Sequence, residues 1–131
     1  MKVEPSAADL LDIARATILE EIAPHLPESR RYTALMAANA LAIAGRDIAA
    51  PDAATGEIAR IAALLADWAP AGDPASDLRD GSARLAVRIR EGRFDEGEAR
   101  QALLAHLHET TRSRLAVSNP RAMARDRKAA T

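Results

Sequence analysis

The sequence predicts an all-α protein, a single-domain bundle of about five helices around a central, alanine-rich helix over about residues 28–49. Three observations carry that prediction. Apolar residues recur at three- and four-residue steps along five stretches, the spacing of one face of a helix. No stretch alternates with a period of two over more than a few residues, so no strand is expected. The prolines at 24, 27, 51, 70 and 120 fall between the stretches, where they end helices. At 131 residues and 14.0 kDa the chain has material for one core, burying about two-thirds of its unfolded surface.

The central stretch is Arg30 to Ile48. Tyr32, Met36, Asn39 and Ile43, with Leu35 and Ala40 offset by one, share a face, and Ala34, Ala37, Ala38, Leu41 and Ala42 make the opposite side apolar too. A helix apolar all round is normally enclosed by others, so this one is placed in the middle, against at least three neighbours. Its alanines let backbones approach closely, and Ala38→Leu or Ala40→Leu should cost about 1–3 kcal/mol by overpacking. Asn39, its one strongly polar member, is expected to be buried and bonded to a loop carbonyl or a neighbouring helix.

The other elements follow in order. Ser6 and Asp9 form a capping signature for a first helix whose inward stripe is Leu11, Ala14, Ile18 and Ile22; Pro24 and Pro27 end it. Asp52 or Thr55 caps a third helix with the stripe Ile58, Ile61, Ala62, Leu65 and Trp68, the indole packing into the core with its N–H turned to a polar partner. Residues 69–76, APAGDPAS, read as a turn-rich linker. A fourth helix occupies about 77–91, with Leu78, Leu85 and Ile89 facing inward, Asp80 and Arg84 spaced as an i,i+4 pair, and Gly92 as its C-terminal stop. Asp95 and Glu98 form a second capping signature before a fifth helix with the stripe Leu104, Leu107, Thr111 and Leu115, stopped by Asn119-Pro120. The bundle domain is expected over 1–117, and 118–131 as a basic, mobile tail with too few apolar residues to offset its ordering.

Composition narrows the function classes. With no cysteine there are no disulfides, thiolate metal sites or thiol nucleophiles. The net charge is −1, yet residues 1–28 carry six acidic residues against two basic ones and residues 112–131 six basic against one acidic. Sixteen arginines against two lysines, with much alanine, resemble the codon bias of a high-GC bacterial genome. The start lacks the basic and apolar regions of a signal peptide, and no 18-residue apolar run occurs, so a cytoplasmic protein without a membrane partner is expected.

No catalytic constellation is visible. His106 and His108 lie two apart on a helix, where their rings diverge by about 200°, which argues against one shared metal ion. Asp9, Asp12, Glu20 and Glu21 read as a solvated face, and no nucleophile elbow or Gly-rich phosphate loop occurs. No cofactor is expected. Arg30 and Arg31 open the central helix and Arg121 follows the Asn-Pro stop; with Asn39 they are the candidate binding residues, able to receive an anionic group. The basic tail has no interleaved aromatics and the pI is near 6.3, so no nucleic-acid partner is expected.

Residues 31–43, RYTALMAANALAI, resemble the central segment of a family of short, all-helical bacterial proteins of unknown function, and residues 115–121, LAVSNPR, resemble the close of that family's domain. Asp9-Leu10-Leu11 with Pro24 and Pro27 fits its first helix. The family is encoded near aminoglycoside-phosphotransferase-like kinases and acyl-CoA dehydrogenases. The resemblance therefore implies a non-catalytic accessory or interaction protein linked to one of those enzymes in acyl-CoA metabolism, with no catalytic residues to carry over. The alternative is a small-ligand bundle holding an acyl or phosphorylated metabolite near Asn39 and the arginines. The apolar faces also leave room for a homodimer.

Overall fold

A computed structural model describes residues 4–50 and 52–129. The fold is all-α, and the described residues contain no strand. Among them run α1 (Ala7–Thr17), α2 (Glu28–Ile48), α3 (Asp52–Leu64), α4 (Pro74–Arg90), α5 (Gly97–Ser118) and α6 (Pro120–Ala129), with a π-helical turn over Ile18–Ile22 and a 3-10 turn over Ala23–His25. The chain divides into two compact units, Met1–Ala50 and Pro51–Thr131, where the sequence suggests one bundle closing at residue 117. Most of the expected basic tail is helical, as α6.

In the first unit, Ser6 caps α1 as its spacing predicts. The Ser6 hydroxyl accepts from the Asp9 N–H at 3.2 Å, and the Asp9 carboxylate accepts from the Ser6 N–H at 2.8 Å. Helical structure persists through the π and 3-10 turns until Pro27, which precedes the first residue of α2. The two helices form an antiparallel pair: a groove between them is lined by Ala8, Asp12 and Arg15 on one side and Ala42, Gly45 and Ala49 on the other. A Cβ added at Gly45 would lie 3.9 Å from the Cβ of Leu11.

This pairing corrects the enclosure expected for α2. Ala38, 2% exposed, is the buried residue of the helix. Ala34, Leu41 and Gly45 share its face and are half-buried. Tyr32, Leu35, Met36 and Asn39 lie to one side of that face, exposed. The helix exists with the expected bounds, but its small-residue side is the covered one, because alanine and glycine let α1 approach while larger side chains would hold it away. Asn39 is therefore not buried, and Ala40 is exposed, so the overpacking argument holds for Ala38 alone. Of the expected first-helix stripe, Leu11 on α1 and Ile18 in the π-helical turn are half-buried, whereas Ala14 and Ile22 are exposed.

The second unit holds the larger core. Ile61, Leu65, Leu85, Phe94 and Leu103 are buried together, with Leu64, Trp68 and Leu78 packed around them. α3 packs against both α4 and α5 and supplies Ile61, which is completely buried. Here the sequence stripe Ile58, Ile61, Leu65 is the buried stripe. Trp68 lies just beyond α3, and its Nε1 donates to Asp80 Oδ2 at 2.7 Å. Beneath the indole, the Gly81 backbone comes so close that a Cβ there would lie 2.8 Å from a ring carbon and 3.0 Å from Ile61 Cγ2.

The linker before α4 is folded by carboxylates. Buried Asp77 accepts from the N–H groups of Ala71 and Gly72 at 2.7 and 2.9 Å. Asp73 accepts from the Ser76 N–H at 3.0 Å as the N-cap, and Pro74 opens the helix three residues before the expected start. Asp80 and Arg84 form the predicted pair at 2.9 Å. Gly92, at φ +76°, stops the chain after α4 as expected. Ile89, expected inside, is 36% exposed.

α5 departs furthest from its predicted register. Its N-cap is Glu96, without a side-chain capping bond, so the Asp95 and Glu98 signature does not form a capping box. Its buried residues are Leu103, His106 and Thr110, while Leu104 and Leu107 are 52% and 43% exposed and Thr111 is exposed. Leu104, Leu107 and Thr111 of the predicted apolar stripe thus point outward, while Leu115 is half-buried. A row of polar contacts with α3 sets the opposite face inward.

Candidate functional site

In that row several titratable side chains converge between α3 and α5. Glu57 and Arg60 come from α3, one turn apart; His106, Thr110 and Arg114 come from α5 at four-residue steps, one above the other. Glu57, His106 and Thr110 are buried. The Arg114 guanidinium donates to Glu57 Oε1 at 3.0 Å, and Arg60 donates to the Thr110 hydroxyl at 3.5 Å. Arg60 Nε and His106 Nδ1 are buried and have no hydrogen-bond partner among the described residues.

The electrostatics of this seam favour the neutral form of His106. Burial pushes its pKa below the ordinary histidine value, the charge of Arg60 pushes the same way, and the nearby Glu57 carboxylate opposes them. Two grooves of the second unit lie elsewhere: one of about 520 Å³ follows the outer face of α5 along Leu104, Leu107, His108 and Thr111, and one of about 360 Å³ is lined by Leu64, Asp67, Arg88, Arg93 and Phe94. Arg88 in the latter is held by Asp67 and Glu91, which raise its pKa. His108, two residues from His106, is exposed, so the two rings point apart as their spacing requires. No group of three or more metal-ligating side chains occurs among the described residues.

The residues singled out from the sequence are divided between the two units. Arg30 and Arg31 occupy the first turn of α2 and are exposed; Arg31 donates to the Leu26 carbonyl at 3.4 Å, closing the turn before the helix. Asn39 is about 12 Å further along the same helix at 1.5 Å per residue, exposed on the face of Tyr32, Leu35 and Met36. Arg121 belongs to the second unit, exposed on the first turn of α6. The groove between α1 and α2, about 370 Å³, is lined by neither Asn39 nor Arg30 nor Arg31.

A family model described as a domain of unknown function, DUF6285, matches residues 24–122. The chain belongs to the DUF6285 family. The match takes in Arg30, Arg31, Asn39 and Arg121, and it covers α2 through α5 and the start of α6. The DUF6285 match begins after α1, so the Asp9-Leu10-Leu11 piece of the resemblance lies before it. No curated protein and no solved structure matches the chain.

The polar seam escaped sequence reading because its α5 half is disguised. Leu103 and Leu107 bracket His106, and a stripe counted on leucines selects Leu104 and Leu107. The available signal was the four-residue recurrence of His106, Thr110 and Arg114, with Glu57 and Arg60 beside Ile58 and Ile61.

Proposed function

We propose that this DUF6285 chain is a non-catalytic accessory protein that docks through its first unit on an enzyme of acyl metabolism, a phosphotransferase-like kinase or an acyl-CoA dehydrogenase. The observation that carries the reading is the apolar face of α2: Tyr32, Leu35 and Met36 are 69%, 45% and 45% exposed at helical spacing, with Asn39 among them. Contiguous apolar side chains on a helix, with arginines at its N-terminal end, are the composition of a protein-binding surface more than of a solvated face. Leu10 and Ile13 on α1, 53% and 57% exposed, add further uncovered apolar surface to the same unit. The two enzyme classes and a bacterial setting come from the family resemblance. The polar seam supports the non-catalytic part of the reading, since its carboxylate Glu57 is paired with Arg114 and its histidine is buried.

The test uses the purified full chain with each purified enzyme from the same genome. Binding to one of them at low-micromolar or tighter affinity, weakened at least about tenfold by Leu35→Glu or Met36→Glu, is the expected result. Failure of both enzymes to bind at about 100 μM, or binding untouched by both substitutions, would overturn it.

A further inference from the structure

Independently of that reading, we propose that α5 is a self-association surface, on which two copies of this chain pack antiparallel about a two-fold axis near Ala105 and Leu107. α5 is 22 residues, about 33 Å long at 1.5 Å per residue. Its buried face carries Leu103, His106 and Thr110, and its outward face carries the groove of about 520 Å³ lined by Leu104, Ala105, Leu107, His108 and Thr111. Gln101, Leu104, His108, Thr111 and Leu115 recur at steps of three and four, the spacing of a two-helix seam.

Charge decides the occupant and the direction. Glu98, Ala105 and Arg112 are seven residues apart, so they form one column along one edge of that seam. Glu98 and Arg112 are exposed, and neither forms an ion pair among the described residues. In an antiparallel pair, equivalent edge columns of the two helices face each other. Ala105 then lies against Ala105 of the second copy, Glu98 meets Arg112 of the second copy, and symmetry forms that bridge twice. The same register sets Leu104 against His108 of the second copy and, on the other edge, Leu107 against Leu107. That second edge also brings Arg100 towards Arg114 of the second copy. The repulsion is reduced because Glu57 already pairs with Arg114 at 3.0 Å within each chain. One surface patch thus complements itself, which is what a two-fold interface requires. A partner unrelated to this chain would have no reason to match the Glu98, Ala105, Arg112 column.

Sedimentation equilibrium of the full chain tests this. The expected result is a reversible monomer–dimer equilibrium in the micromolar range. Leu104→Glu, at an exposed position, should weaken it at least about tenfold with unchanged helical circular dichroism. Glu98→Arg and Arg112→Glu should each weaken it about three- to tenfold, and the double variant E98R/R112E should restore it to within about threefold of the unaltered chain. The two residues are fourteen apart on one helix, about 21 Å, so they cannot rescue each other within a chain. A monomer at all concentrations up to several hundred micromolar would overturn the proposal, as would a dimer indifferent to Leu104→Glu or a double variant no better than the singles. Capture of the monomer by lipid vesicles, or by another protein, through Leu104 and Leu107 would replace it.

Discussion

The two units bury opposite kinds of residue. In the first, the buried residues among those described are Ala23 and Ala38, and large apolar side chains such as Tyr32, Leu35 and Met36 stay outside. In the second, Ile61, Leu65, Leu85, Phe94 and Leu103 meet in a common core, tied by the Trp68–Asp80 bond and the Glu57–Arg114 pair. Burial of apolar area contributes roughly 25 cal/mol per Å², so a helix pair that hides alanines gains little from it. A pair that short is marginal by itself. The second unit therefore carries the greater share of stability, and the first keeps its apolar surface available.

The contrast breaks first at Ile61. Ile61→Ala should cost about 2–5 kcal/mol in chemical denaturation, since the side chain is fully buried and leaves a cavity. A cost below about 1 kcal/mol would mean that α3 is not the hub of the core. Next is Gly81→Ala, at about 1–3 kcal/mol, because the new methyl meets the rigid indole and Ile61; the usual gain of about 1 kcal/mol for alanine over glycine in a helix should be lost. A stabilised variant would show that Trp68 can move away.

In the first unit, Ala38→Leu should cost about 1–3 kcal/mol by forcing α1 away, whereas Ala40→Leu, on the exposed side, should change stability by less than about 0.5 kcal/mol. Because two units need not melt together, local amide exchange within α2 is the measurement to use. Equal costs at 38 and 40 would contradict the packing of α2 on α1.

The smallest effect is the pH dependence carried by His106. Its folded pKa is depressed by burial and by Arg60. As pH falls below the ordinary histidine value, about 6.5, the unfolded chain takes up the proton first. The folded state loses stability until pH passes below the depressed value, so stability rises with pH through that window. Denaturation between pH 5 and pH 7 should show this rise, and His106→Gln should flatten it. An unchanged slope in the variant would place the titration elsewhere.

Helix bounds and stops were legible because their signals are local. The Ser6 capping box, the Asp80–Arg84 pair, the Gly92 stop and the Asn119-Pro120 break need no knowledge of neighbours. The α3 stripe was legible too, since that helix has one apolar side. Facing was not legible on α2 and α5. Both are apolar on more than one side, and the covered side was chosen by close approach at Ala38 and Gly45 and by the polar row Glu57, Arg60, His106, Thr110 and Arg114. Counting large side chains selects the outward face in each case. The candidate residues Arg30, Arg31 and Asn39 were placed on the right helix but with the wrong burial for Asn39, and the seam was missed for the same reason.

Native-state amide hydrogen exchange of the full chain tests most directly whether stability is divided as the two units' cores imply. The slowest amides should lie in α3, α4 and α5 around Ile61, Leu85 and Leu103, with those of α1 and α2 opening at least about 1–2 kcal/mol more readily. Amides of α2 as protected as those around Ile61 would show that the alanine-lined helix pair is held as firmly as the larger core, and the account would be wrong.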